Sequence, residues 1–333
     1  MKTRERFIKT LNFDKSVDRL PQIEWAPWWN ETIERWENEG FIKNSPATDT
    51  YNYFGLDQHK QFWISPAGPD CPVPSGHGMG IIENEDDYER IKKYLYSKDA
   101  ISRIKDSIIS IKKAHEDGEL AVWISLEGFF WFPRTLFGIE NHLYAFYDYP
   151  ELMHRINKDN SEYCLFLIEE FSKITTPDFM TFAEDMSYNH GPMLSEEIFN
   201  EFLKPYYKAV IPTLKSKNIS VFIDSDGEIT TMLPWLIDSG IEGILPLERQ
   251  SGVDVNKIRD LYPSFKMIGG FDKMIMHLGE DAMRAEFERI LPVMKSGGYI
   301  PGVDHQTPPS VSLENYKIYV KLLKEYCEKA CYN

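Results

Sequence analysis

The sequence predicts an α/β fold, a (β/α)8 TIM barrel with an N-terminal helical extension. From about residue 120 onward, short β-rich runs alternate with amphipathic helical stretches. Counting two earlier runs, eight strand candidates are present, and carboxylates recur just past their C-terminal ends. The alternation is that of βα units around a parallel sheet. Eight strands close a barrel, and polar residues at strand C-termini converge on the mouth where such barrels place their sites.

Taken in order, the amphipathic start at residues 3–11 predicts a helix, and residues 22–26 predict the first strand. Residues 61–64 are a weaker second strand. The Pro- and Gly-rich stretch 65–80 suits a loop over the barrel mouth better than an interdomain linker. Ile101, Ile104, Ile108 and Ile111 form one apolar helical stripe. Strands follow at residues 120–125, 179–183, 219–223, 241–245, 265–269 and 298–301. Ser195, followed by Glu196 and Glu197, reads as a helix N-cap with first-turn acids, and Ser312 as the cap of the last helix. Pro205 should kink or divide the helix predicted from residue 196 to 215. No repeat or composition shift marks a boundary, so residues 1–333 are expected to form one domain.

With 42% hydrophobic and 27% charged residues, the chain is in the globular range. A net charge of −15 sets aside DNA, RNA and anionic membranes, which are bound by lysine and arginine. The charged start offers no signal-peptide stretch, and no segment approaches a membrane span, so a cytoplasmic location is expected. Cys71, Cys164, Cys327 and Cys331 suit a reduced compartment better than a disulfide framework. Cys327 and Cys331 lie one helical turn apart without a second ligand pair, as ordinary helix packing would have them.

The acids beyond predicted strands are Glu24, Glu127, Glu184 with Asp185, Asp224 with Asp226, Glu248, Asp272 beside Lys273, and Asp304 beside His305. Any one alone would read as a loop cap; so many after different strands point to a shared mouth. Trp25, Trp28 and Trp29 follow the first strand, and Phe129, Phe130, Trp131 and Phe132 follow Glu127. Consecutive rings cannot all face the core, so some should wall a pocket. In Asp224-Ser225-Asp226-Gly227, strand alternation sends both carboxylates the same way and Gly227 permits a sharp turn. The pair can share a metal or a proton, or it can cap the next helix. His305 beside two carboxylates would complete a recurrent divalent-metal set.

Several stretches together resemble the uroporphyrinogen decarboxylase superfamily, which also contains corrinoid-linked methyltransferases. They are Gly138-Ile139-Glu140 through Tyr149-Pro150-Glu151; Glu184-Asp185 with Gly191-Pro192-Met193-Leu194-Ser195; and Phe202 to Tyr207. Further along come Gly269-Gly270-Phe271-Asp272-Lys273, Gly297-Gly298-Tyr299-Ile300-Pro301 and Ser312-Leu313-Glu314-Asn315-Tyr316. The resemblance implies a distorted TIM barrel with its site at the C-terminal mouth. The decarboxylases hold substrate carboxylates with arginines soon after the first strand, whereas residues 22–29 contain none and the next arginine is Arg35. The branch acting on thiols binds zinc with His-x-Cys-Gly and a later Cys. Here Asp224 and Asp226 take the first two places and His305 falls near the third, leaving an oxygen-rich metal site or no metal.

By this resemblance the chain is similar to enzymes that demethylate small methylated compounds and hand the methyl to a corrinoid on a separate protein. The expected catalytic groups are Glu184, Asp226 and His305. The expected substrate-binding groups are Glu24, Trp25, Trp28, Glu127, Phe129, Trp131 and Asp272. A zinc-like divalent metal would be held by Asp224, Asp226, Glu248 and His305. The alternatives are a metal-free decarboxylase of a porphyrin-like or other carboxylated substrate, and a non-catalytic small-ligand-binding barrel. Fold alone does not choose among them.

Overall fold

A computed structural model of the chain describes residues 1–26, 28–41 and 50–331. Its strands form a seven-stranded parallel sheet in which each pairs with the next in the chain. They are β1 (Gln58–Ile64), β2 (Leu120–Glu127), β3 (Phe179–Ala183), β4 (Ser220–Asp224), β5 (Gly243–Leu245), β6 (Lys266–Phe271) and β7 (Tyr299–Val303). Their C-terminal ends share one side, where Glu127 is level with Ala183, Asp224 with Leu245 and Phe271 with Val303.

Residues 22–26, expected as the first strand, join no ladder. Their backbone groups find other partners. The Gln22 carbonyl accepts from Asp57 N at 2.9 Å, the Gln22 amide donates to the Asp57 carboxylate at 2.9 Å, and Tyr51 Oη donates to the Glu24 carbonyl at 3.0 Å. These bonds stand in for the ladder that an eighth strand would need. The segment still lies beside β7, because a Cβ on Gly302 would come within 3.4 Å of the Trp25 ring and 3.7 Å of the Ile23 carbonyl.

Strand alternation divides the core in two. Ala121, Trp123, Phe179, Phe222, Leu245, Ile268 and Ile300 turn to the inner face, joined by Ile23 and Trp25 and capped by Phe7 and Leu11 of the helix Thr3–Leu11. Val122, Ile124 and Leu126 point the other way, into the layer of helices. Ile101 and Ile108 of the helix Ala100–Glu116 are buried there, with Ile104 and Ile111 packed at the margin. Cys327 is buried in the same layer and Cys331 packs against it.

Both expected caps form: Ser195 Oγ accepts from Ile198 N at 3.3 Å, and Ser312 Oγ from Asn315 N at 3.2 Å. The long helix divides near Pro205. A π-helical turn, Phe199–Leu203, precedes the helix Lys204–Ser216, and Pro205 falls in that helix's first turn, where a missing N–H costs nothing. Among the described residues, no helix is long and apolar enough to cross a membrane.

Candidate functional site

A cavity of about 350 Å³ opens at the C-terminal ends of the strands. Trp25, Trp63 and Trp131 supply aromatic wall, while Asp185, Asp224 and Asp226 supply carboxylates, with Glu184 behind them. His305, Gln306 and Gln61 complete its polar rim, and no lysine or arginine lines it among the described residues.

Glu184 follows β3 and is buried against the start of the helix Trp131–Phe137. Its Oε1 accepts from Phe129 N at 2.8 Å, and its Oε2 from Phe130 N at 2.8 Å and Trp131 N at 3.0 Å. Tyr207 Oη donates to Oε1 as well. Helix N-termini carry unpaired N–H groups, and this carboxylate satisfies them. Burial pushes Glu184 up to about 7, against the pull of Tyr207 and the backbone donors. With four donors on its two oxygens, Glu184 fixes the loop carrying Trp131 and has little capacity left to relay a proton. Gly128 makes room for it, since a Cβ there would stand 1.9 Å from Oε1.

Asp224 ends β4 and Asp226 lies in the turn beyond it, which closes through Gly227 at φ +84°. His305 Nε2 stands 3.6 Å from Asp226 Oδ2 and meets the Trp25 ring edge-on at 6.2 Å between centroids. Asp185 holds the left-handed backbone, φ +45°, and its Oδ1 accepts from Asp226 N at 3.3 Å. Such strain in a non-glycine residue persists only where surrounding contacts enforce it. Burial, with the charges of Asp185 and Glu248, pushes Asp226 up to about 7. Burial and the charges of Asp226 and Asp185 hold Asp224 well above the ordinary carboxylate range. Burial and the Lys273 ammonium lower His305, favouring its neutral imidazole.

Behind this wall lies the buried Lys273, with Nζ 3.3 Å from Glu248 Oε1 and 3.6 Å from Asp304 Oδ1. Asp304 also accepts from Arg249 N at 2.8 Å and Lys273 N at 3.1 Å, while Glu248 accepts from Gly227 N at 3.1 Å. Four strand-to-helix connections are thereby tied together. Burial raises Asp304 to about 6 despite the lysine.

Other expected site residues go elsewhere. The Trp28 ring packs among Trp36, Tyr51, Phe54 and Tyr316, away from the cavity lining. Phe129 is fully buried against Phe182, Tyr206 and Tyr207. Both are drawn off because apolar rings gain more from a dry aromatic cluster than from a wet mouth. Glu24 is buried under Tyr316, whose hydroxyl donates at 3.2 Å, and desolvation holds it well above its usual range. Asp272 caps the turn after β6, accepting from Met274 N at 2.8 Å. Glu127 faces a second cavity, beneath residues 65–79. The sequence places Asp185 and Lys273 in pairs at the mouth without giving either a role, and Gln61 and Trp63 carry no site signal of their own. The Asp272-Lys273 and Glu184-Asp185 pairs were visible, but nothing in one dimension tells which member of such a pair turns inward.

Among the described residues, no three His, Cys, Asp or Glu side chains are grouped to hold a metal ion. Of the four expected ligands, Asp226 and His305 approach each other, whereas Glu248 is committed to Lys273 and the Gly227 amide. Lys273 offsets Glu248 and Asp304, the carboxylates it touches.

Trp131→Ala is expected to weaken ligand binding several-fold, because the half-buried ring lines the cavity. It should cost less stability than the roughly 3–5 kcal/mol of truncating a core aromatic. Trp25 cannot separate the two effects, since it also belongs to the inner core and its Nε1 donates to the Val303 carbonyl at 2.7 Å. Calorimetric titration alongside urea unfolding checks both; equal ligand affinity in Trp131→Ala and wild type would remove the ring from the site.

A parallel α/β sheet with an acid-and-aromatic cavity at its strand C-termini defines the class: a TIM-like protein with its site where barrel enzymes place theirs. The chain belongs to the uroporphyrinogen decarboxylase (URO-D) family, whose model matches residues 76–326. It is 24% identical over 289 residues to a uroporphyrinogen decarboxylase of Chloroherpeton thalassium, covering 76% of each chain. A second uroporphyrinogen decarboxylase, from Pelodictyon phaeoclathratiforme, is 27% identical over 139 residues, 40% of this chain and 38% of that one. The fold is shared with a methyltransferase from Methanosarcina mazei, at a TM-score of 0.68 and 16% identity, covering 98% of this chain and 99% of that chain.

Proposed function

We propose that this protein is a methyltransferase that takes the methyl group from a small methylated compound, uncharged at its methylated end, and passes it to a corrinoid carried on a separate protein. The observation that carries the reading is Asp226, a carboxyl raised to about 7 on the wall of a cavity lined by tryptophans and acids. An acid with that pKa holds its proton near neutrality and can release it to a leaving group.

In the step itself, the acceptor's electron pair attacks the methyl carbon and the carbon–oxygen bond breaks, its pair going to oxygen. Asp226 gives that oxygen its proton, and the products are the hydroxyl compound and the methylated acceptor. His305, neutral and 3.6 Å away, is placed to return a proton to the Asp226 carboxylate from solvent. Burial, with the charges of Asp185 and Glu248, keeps Asp226 protonated, and Trp25 and Trp131 hold the apolar methylated end. Behind these acids, Lys273 supplies positive charge to Glu248 and Asp304.

A decarboxylase reading has the names of the two curated relatives in its favour. Against uroporphyrinogen, a substrate of many carboxylates, stand the acids of this cavity, which no lysine or arginine lines among the described residues. Arg249 turns to the Val253 carbonyl at 3.2 Å and to Asp254 at 3.8 Å. Purified protein is accordingly expected to form no coproporphyrinogen from uroporphyrinogen; steady conversion, followed by porphyrin fluorescence after oxidation, would overturn that.

The deciding assay incubates the protein with reduced cobalt corrinoid and a panel of methylated compounds, following methyl–cobalt formation by absorbance. Methyl transfer supports the reading, and carbon dioxide release from a carboxylated substrate replaces it with decarboxylation. Tight binding without turnover of any kind would leave a ligand-binding barrel.

A further inference from the structure

Beside the acid cavity lies a second one, of about 520 Å³, roofed by the Pro- and Gly-rich stretch 65–79 and floored by the helix that begins at Trp131. Trp131 lines both cavities and forms a partition between them. On the far side of that partition is Arg134, one turn along the helix, its guanidinium 5.0 Å from the Trp131 ring centroid. It is the sole lysine or arginine lining this cavity among the described residues.

The partners of Arg134 are unusual for this chain. Acids outnumber bases by 52 to 37, and most of the arginines carry a carboxylate within 4 Å. Among the described residues, Arg134 has no such ion pair, and the one hydrogen bond of its side chain, at 3.1 Å, goes to the Asp185 carbonyl. A guanidinium has five N–H donors in a planar fork suited to a carboxylate, so most of that fork is unspent. The carboxylate that shares the cavity, Glu127, is buried, and burial favours its neutral form. Around it are Pro69, Pro72, Pro74, Met79 and Ile139, which offer no competing anion. The Arg134 guanidinium thus stands in this cavity beside one lined by acids and no lysine or arginine among the described residues.

We propose that the ligand spans both cavities: its uncharged methylated end lies against Asp226, and a single carboxylate at its other end is held by the Arg134 fork beyond Trp131. This rests on the methyl-transfer reading only for the identity of the first end. Arg134 is then the specificity-determining residue, admitting small methylated carboxylic acids and passing over their neutral analogues. A substrate with many carboxylates remains excluded, because the first cavity would repel the others.

The test compares 4-methoxybenzoate with its uncharged amide by isothermal titration on the wild type, Arg134→Met and Arg134→Lys. Wild type is expected to bind the acid at least about tenfold more tightly than the amide, the usual order for a charge-assisted pair in a partly dry site. Arg134→Met should lose that preference while keeping its affinity for the amide, and Arg134→Lys should recover part of it. Equal binding of acid and amide by wild type, binding of neither, or equal loss of both in Arg134→Met would overturn the proposal. The functional reading fails separately: Arg134-dependent binding of the acid without methyl transfer sinks the reaction and keeps the ligand class. Methyl transfer from the amide as readily as from the acid sinks the ligand class and keeps the reaction.

Discussion

Gly128→Ala is expected to leave little or no folded protein. A Cβ at that position would lie 1.9 Å from Glu184 Oε1 and 2.2 Å from its Cδ, where real atoms never approach. Relief would require Glu184 to retreat, but three backbone amides and the Tyr207 hydroxyl hold it in place. Retreat would strand those buried donors at about 1–3 kcal/mol each. Glu184→Ala alone strands them without the clash, so a loss on the order of 3–5 kcal/mol is expected. The informative variant is the double one. With the carboxylate gone the new methyl has space, and Gly128→Ala should add little to Glu184→Ala, a coupling only direct contact produces. Soluble yield, near-ultraviolet circular dichroism and urea midpoints read all three proteins. A Gly128→Ala protein with a wild-type midpoint would show that the loop does not need this carboxylate.

Asp226→Asn is expected to lower methyl transfer by about 10²–10⁴-fold, the usual worth of a positioned general acid. In the wild type, turnover should be full at acidic pH and fall as pH rises through about 7, because the proton to be donated is then lost. The same shift has a consequence for stability. Asp226 titrates higher in the folded protein than its ordinary 3.8, so ionising it costs more folded than unfolded. Its contribution is fully present below about 3.8 and is lost as pH rises through about 7. Glu184, raised from 4.5 to about 7, and Asp304, raised from 3.8 to about 6, act in the same direction. Urea midpoints should decline between about pH 4 and 7, and Asp226→Asn should flatten part of that decline. A pH-independent turnover in the wild type, or an unimpaired Asp226→Asn enzyme, would remove Asp226 from the proton step.

Much of the fold was legible because its signals are local. The near-continuous apolar run of β2, buried on both faces, and the spaced isoleucines of the helix Ala100–Glu116 are written in consecutive residues, as are the Ser195 and Ser312 caps. The exception is instructive: residues 22–26 show strand-like alternation, and Ile23 and Trp25 do turn to the inner core. Whether a run joins a ladder depends on what neighbours it, and Asp57 and Tyr51 take the backbone groups that a strand would have offered.

What the sequence by itself determined is the layout: parallel βα units, acids after their strands, tryptophans beside the acids, and no early arginines to gather substrate carboxylates. What only the tertiary structure decided is which of those side chains share a space. It brought Asp226 to His305, turned Glu184 into an anchor for the Trp131 loop, sent Trp28 and Phe129 into aromatic clusters, and set Lys273 between Glu248 and Asp304. The physical reason is that a residue's place along a strand follows from its neighbours in sequence. Its partners in a cavity, and so its burial, charge state and chemistry, come from other segments of the chain, outside any local window of sequence.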